Sequence, residues 1–219
     1  MDSLRKLHND RKRSLIMKWV GPRSSVLDCG CGRGGDWWKW KAVQGIRVTA
    51  IDPDADSLTE ARKRAAEIGL NVKFMDPGDI RHAASSGPFD VVCYNFSLHY
   101  IFENFKESLD AIQVAIKPGG LLIGITPERA RAELLTNGGV FTDPLGNTLE
   151  IRGDRLWVSL TDGPFYADGP KSEPLLDAAL ITDELTARGF TRITWEPMIP
   201  APNWHVSDLY STFVFRKNS

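Results

Sequence analysis

Ser24-Ser25-Val26-Leu27-Asp28-Cys29-Gly30-Cys31-Gly32-Arg33-Gly34-Gly35-Asp36 decides how the rest of the chain reads. Its apolar pair, Val26 and Leu27, marks a buried strand over residues 24–29. The glycines that follow let a backbone approach a ligand closely. At Asp36 the chain re-enters a periodic segment, and a carboxylate there suits a helix N-terminus. Strand, glycine turn and helix start together form a nucleotide-cofactor loop.

Two cofactors compete for that loop. Gly30, Gly32 and Gly35 satisfy the G-x-G-x-x-G spacing of dinucleotide sites. A dinucleotide, however, places a pyrophosphate on the helix N-terminus. Here Asp28 closes the strand and Asp36 follows the glycines, so two carboxylates would repel it. They suit a ligand with a cationic part, such as S-adenosylmethionine, which carries a sulfonium and an ammonium. Asp52 ends the next strand, where a ribose diol is held in such folds. A turn cap explains Asp28 alone but not the order strand, acid, glycine.

The 219 residues, 42% hydrophobic, fit one domain over 1–219 with a small insertion. A net charge of −1 leaves no global footprint for nucleic acid. Locally, residues 1–22 read as a leading basic helix carrying Arg5, Lys6, Arg11, Lys12, Arg13 and Lys18. That face either meets a polyanion or is simply solvated. Cys29, Cys31 and Cys93 are few and odd in number, and they lack zinc spacing. Neither a structural disulfide nor a metal is expected, and a reducing compartment is. No apolar run of about 18 residues suggests a membrane span. The expectation is a soluble, intracellular protein.

Strands over 24–29, 47–52, 72–76, 89–96 and 121–125 alternate with helices over about 35–43, 54–68, 104–116 and 128–136. That alternation predicts a parallel sheet with right-handed crossovers. Over about 138–172 it breaks into two or three strands joined by turns, an inserted hairpin region. A helix over about 173–188 follows, then strands 190–196 and 209–216 around a proline-rich loop of Pro197, Pro200 and Pro202. The predicted class is α/β: a Rossmann-like class I S-adenosylmethionine-dependent methyltransferase fold with a closing antiparallel strand pair. Its pocket lies at the carboxyl ends of the strands.

Asn95-Phe96-Ser97-Leu98-His99-Tyr100-Ile101-Phe102 puts aromatics and a histidine at that pocket. Here the chain resembles the messenger-RNA cap (guanine-N7) methyltransferases, whose signature after the fourth strand is close to F-S-L-H-Y-x-F. The likeness extends to the leading helix (His8-Asn9-Asp10-Arg11-Lys12), to Arg33-Gly34-Gly35-Asp36-Trp37-Trp38-Lys39-Trp40, and to Thr126-Pro127-Glu128. It covers nearly the whole chain, most weakly from about 140 to 172.

The resemblance implies a site. Lys12, Asp28, Gly30, Asp36, Asp52, Asp76 and Asn95 look like cofactor contacts, with Asp79 a rival to Asp76 for the adenine. Phe96, His99, Tyr100, Pro127, Glu173 and Tyr210 look like the cap pocket, Glu173 opening the helix after the insertion and reading the guanine edge. Arg33, Lys39 and Arg64 look like contacts to the cap triphosphate. The resemblance implies capped RNA as the substrate, leaves open further capping-enzyme domains or a stimulatory subunit as partners, and in so short a form suits a viral, cytoplasmic enzyme better than a nuclear one. The chain departs from the family in Pro174, where a Tyr usually follows the acid, and in Trp37-Trp38, which replaces an aliphatic pair. Three other readings stay open: a methyltransferase of a small molecule or protein, a non-catalytic RNA- or partner-binding subunit, and a nicotinamide oxidoreductase.

Overall fold

The computed structural model describes residues 3–161, 169–200 and 205–219. Residues 162–168 of the expected insertion and Pro202 lie outside them.

The glycine-loop stretch becomes β1 (Ser25–Cys29), the loop, and a short helix α2 (Trp37–Lys41). Parallel strands β2 (Arg47–Ile51), β3 (Val72–Phe74), β4 (Phe89–Asn95) and β5 (Ile116–Pro127) surround β1. The sheet closes with β10 (Phe190–Pro197) and β11 (Tyr210–Lys217), giving the order β10-β11-β5-β4-β1-β2-β3. β11 pairs antiparallel with both β10 and β5, and the other neighbouring strands pair in parallel. The class I α/β fold is borne out, including the closing antiparallel pair.

Period-two alternation sends successive side chains to opposite faces. On β1, Val26 joins one core and Leu27 the other. The first core is covered by α1 (Ser3–Trp19), α2 and α3 (Ala55–Glu67) through Ile16, Trp37, Trp40, Ala61 and Ala65. The second is covered by α4 (Ile80–Ala83), α5 (Phe105–Ala115) and α7 (Ala178–Ala187) through Ile80, Leu109, Ile112, Ile181 and Leu185. Trp37 and Trp40, one turn apart on α2, are buried, whereas Trp38 is 64% exposed. Truncating either buried ring costs about 3–5 kcal/mol. Gly34 has φ +75°, and a Cβ there would lie 2.0 Å from Trp37 Nε1, so only glycine lets the loop pass under that ring.

The insertion is larger than a hairpin. After α6 (Arg129–Thr136) come β6 (Val140–Thr142), β7 (Thr148–Arg152), β8 (Arg155–Ser159) and β9 (Lys171–Pro174), a separate four-stranded antiparallel sheet. Its apolar face, with Leu149, Leu156 and Val158, packs into the first core. Glu173 therefore sits in a strand and not at a helix start. The helix begins later because Asp177 caps it, its carboxylate accepting from the N–H groups of Ala179 and Leu180. Among the described residues no helix is long and apolar enough to cross a membrane.

Candidate functional site

Strand order reverses between β1 and its two neighbours, β4 and β2, and a crevice opens beyond their carboxyl ends. A cleft of about 630 Å³ lies there, lined by Gly30, Gly32, Arg33, Asp52, Pro53, Asp54, Ser57, Phe96, Ser97, Tyr100 and Glu173. A side cavity of about 160 Å³ shares Gly30, Pro53, Ser97 and Tyr100 with it and continues to Asp79, Ile80 and Glu103.

The loop is pinned by backbone. Gly30 has φ +71°, and a Cβ there would meet Ser97 at 2.6 Å. That close approach lets Ser97 Oγ donate to the Cys29 carbonyl at 2.7 Å, tying the ends of β1 and β4 together. Asp52 accepts from the Gly32 N–H at 2.7 Å and from the Asp54 N–H at 3.0 Å, which fixes its carboxylate at the cleft wall. Burial raises the Asp52 pKa above its ordinary value, against those two N–H groups.

Beneath the loop, Asp28 is 2% exposed and accepts from the Trp40 indole N–H at 2.9 Å. Burial, reinforced by Asp36, pushes its carboxyl up to about 7, although Trp40 and Lys12 pull the other way. Asp36 joins Lys12 Nζ at 2.7 Å and Lys39 Nζ at 2.8 Å. Lys39 also donates to Asn9 Oδ1 and to the Gly35 carbonyl, and Asn95 Nδ2 donates to Asp36 Oδ2 at 3.0 Å. Burial alone would raise the Asp36 carboxyl, but the two ammonium groups hold it below its ordinary value. This cluster joins α1, α2 and β4.

The far wall of the cleft is aromatic and acidic. Glu173 is 6% exposed, with Oε2 3.4 Å from His99 Nε2. The Tyr100 hydroxyl hydrogen-bonds Glu173, and Tyr100 packs on His99 with ring centroids 4.2 Å apart. Burial, then Glu173 and Glu103, raise the Tyr100 pKa. Phe96 meets Tyr210 edge-on at 4.8 Å, and Tyr210 is paired in the sheet with Pro127.

Of the residues singled out in the sequence, the cleft lining brings together Gly30, Arg33, Asp52, Phe96, Tyr100 and Glu173. Lys12, Asp28, Asp36 and Asn95 form the layer below it, and His99, Pro127 and Tyr210 the layer behind the aromatic wall. Three residues stand elsewhere. Asp76 is exposed and lines neither cavity, while Asp79, which caps α4, lines the side cavity. The Pro77-Gly78 step after β3 turns the chain between them. Arg64 lies on exposed α3 and pairs with Glu60 at 2.7 Å. Lys39 is 6% exposed and committed to Asp36, and neither cation lines the cleft. Sequence reasoning missed Ser97, whose only local signal was its place directly after Phe96, and His8, whose partners are distant in sequence.

The residues fit S-adenosylmethionine. Gly32, at φ +51°, has open space where a Cβ would stand, and it lines the cleft. The buried Asn95 Oδ1 lacks a hydrogen-bond donor among the described residues. Asp52 lines the cleft and Asp79 the side cavity, and among the described residues Arg33 is the one cation in the cleft lining, which is not a cradle for a pyrophosphate.

Residues 26–120 match the family described as Methyltransferase domain. Curated relatives narrow the comparison. The mRNA cap guanine-N(7) methyltransferase of Eremothecium gossypii is 34% identical over 145 residues, 57% of this chain and 33% of that protein. The mRNA cap guanine-N(7) methyltransferase 1 of Oryza sativa subsp. japonica is 28% identical over 142 residues, 57% of this chain and 38% of its own length. The family resemblance read from the motifs is therefore borne out. The match spans between a third and two fifths of those relatives. In fold, the chain is similar to an S-adenosylmethionine-dependent methyltransferase from Clostridium acetobutylicum, with TM-score 0.71 and 18% identity over 100% of this chain and 94% of that one.

Proposed function

We propose that this chain transfers a methyl group from S-adenosylmethionine to N7 of the cap guanosine of mRNA. One observation carries the reading: a buried acid, Glu173, and an aromatic, Tyr100, line the same cleft as the cofactor-loop residues Gly30, Gly32 and Asp52. The relatives' activity supports the choice of substrate.

Bound S-adenosylmethionine supplies the sulfonium methyl and a thioether leaving group. Asp52 holds the ribose diol, and Asp79 at the side cavity meets the adenine amine. Asp28 sits beneath the loop, where its carboxylate balances the cationic end, and Lys12 faces the methionine carboxylate. Guanine N7 has a free lone pair and no proton to lose, so no residue acts as a general base. With the cofactor bound, its methyl would pass in line to N7, the S–CH3 electron pair staying on sulfur as the thioether leaves, and positive charge would move to the purine. Phe96 and Tyr100 hold the ring in near-attack geometry, about 3–3.5 Å from the methyl. Glu173 faces the guanine edge and stabilises the positive ring that forms. His99 holds Glu173 from behind, and Arg33 at the cleft rim faces the triphosphate.

The test is transfer of labelled methyl from S-adenosylmethionine to RNA ending in an unmethylated guanosine cap, followed by nuclease digestion. Label on the guanine base, and none with uncapped RNA, is the expected result. Cofactor binding without transfer to capped RNA would overturn the substrate assignment and favour a small-molecule methyltransferase.

A further inference from the structure

His8 lies on α1, outside the cleft lining, yet it touches the ring that forms the cleft wall. Its imidazole stacks on Phe96 with centroids 5.0 Å apart and planes at 29°. It meets Tyr210 edge-on at 5.5 Å, and Tyr210 in turn meets Phe96 at 89°. His8 Nε2 is 2.8 Å from Ser207 Oγ, a contact across 199 residues that anchors the ring to the buried turn before β11. One helical turn further on, Lys12 Nζ stands 5.6 Å from the Phe96 centroid.

Phe96 needs such support. Its φ is +64°, a left-handed conformation that costs a bulky residue about 1–2 kcal/mol. Its N–H donates to the Ile125 carbonyl at 2.7 Å, which secures the backbone but not the ring. The ring lines the cleft on one side, so its packing must come from behind, and Tyr210 supplies only an edge.

We propose that His8 is a positioning residue for methyl transfer: its ring, anchored by Ser207, backs Phe96 and fixes the wall against which the substrate purine lies. This rests on the proposed substrate reading. Burial, then Lys12 and His205, lower the His8 pKa to about 4, so the stacked ring is neutral at physiological pH and its contact with Phe96 does not depend on charge. The nearby Lys12 keeps its own partner in Asp36.

A loosened wall misplaces N7 relative to the methyl, and small displacements at a reacting centre cost rate steeply. His8→Ala is expected to lower kcat on capped RNA about tenfold while the cofactor Kd stays within about twofold, because His8 acts through Phe96 alone. His8→Phe keeps the stack and loses the hydrogen bond, and should recover most of the rate. Full rate in His8→Ala, no recovery in His8→Phe, or a matching loss of cofactor affinity would overturn the proposal. A readout independent of substrate separates the two readings: 19F NMR of protein labelled with 4-fluorophenylalanine, the Phe96 signal assigned by Phe96→Leu. In His8→Ala that signal should shift and broaden, and in His8→Phe it should stay sharp. An unchanged signal in His8→Ala sinks the positioning role. Inactivity of the unaltered protein on capped RNA with a shifted signal sinks only the substrate reading.

Discussion

The Trp40 indole N–H donates to Asp28 Oδ2 at 2.9 Å, so the first turn of α2 holds the acid that closes β1. Asp28 is 2% exposed and has two further carboxylates, Asp36 and Asp52, within its field. Burial is the largest cause of its raised pKa, and the indole offsets only part of it.

That carboxyl has a pKa of about 7 in the free protein against an ordinary 3.8, so the fold favours its neutral form. Its contribution to stability is full below pH 4 and declines as pH rises toward 7. Binding of a cation runs the other way, because it favours the ionised acid. Affinity for S-adenosylmethionine should therefore rise about tenfold between pH 6 and pH 8, with a proton released on binding. Calorimetry in buffers of different ionisation enthalpy measures both. Asp28→Asn should flatten the dependence; an unchanged slope in that variant would remove Asp28 from the linkage.

The Lys12–Asp36–Lys39 cluster carries a different expectation. Both lysine partners and the acid have side chains no more than 16% exposed. Removing one partner of a buried ion group leaves the others uncompensated, which costs about 3–5 kcal/mol. Asp36→Asn should lose that amount in denaturant unfolding, and α1 should become susceptible to limited proteolysis near Trp19. A loss under about 1 kcal/mol would mean that the ammonium groups reach solvent in the free protein.

How far the sequence could be read follows from the distance over which each residue's signal acts. Asp28, Gly30 and Asp52 sit within one strand–turn–helix unit, and local pattern sufficed to place them. The parallel strands follow from alternation, and the closing pair from the two apolar runs, 190–196 and 209–216, that end the chain without a helix between them. Glu173 was placed in the cleft but on the wrong element, because an acid before a helical run resembles a cap. The true cap is Asp177, and Pro174 ends a strand. Lys39 resembles a triphosphate contact in the sequence, since nothing local reveals that Asp36 and Asn9 claim its ammonium. His8 carries no local signal, because its partners are Phe96, Ser207 and Tyr210.

Asp79 and Asp76 separate cleanly by substitution. Asp79 lines the side cavity and caps α4, its carboxylate accepting from the Arg81 N–H at 2.9 Å. Asp76 is exposed. Asn serves as an N-cap nearly as well as Asp, so Asp79→Asn keeps the helix start and removes only the charge. It should weaken S-adenosylmethionine binding about tenfold, the value of one charge-assisted hydrogen bond. Asp76→Asn should leave the affinity unchanged. The reverse ranking by calorimetry would place the adenine elsewhere.

Glu173 is the sharpest test of the chemistry. It is held by His99 on one side and by the Tyr100 hydroxyl on another, and it reaches the cleft from β9, an element separate from the cofactor-binding sheet. A substitution there should leave the cofactor loop untouched. Glu173→Gln keeps the size and a hydrogen-bonding oxygen for Tyr100, and it removes the negative charge. If positive charge builds on the guanine during transfer, that charge matters more in the transition state than in the bound substrate. The variant should then lose about a hundredfold in kcat, roughly 2.7 kcal/mol, with cofactor affinity unchanged. A rise in KM at constant kcat would instead make Glu173 a reader of the ground-state purine edge. Retention of full rate on capped RNA would remove it from the site, because no other described carboxylate on the insertion sheet lines the cleft.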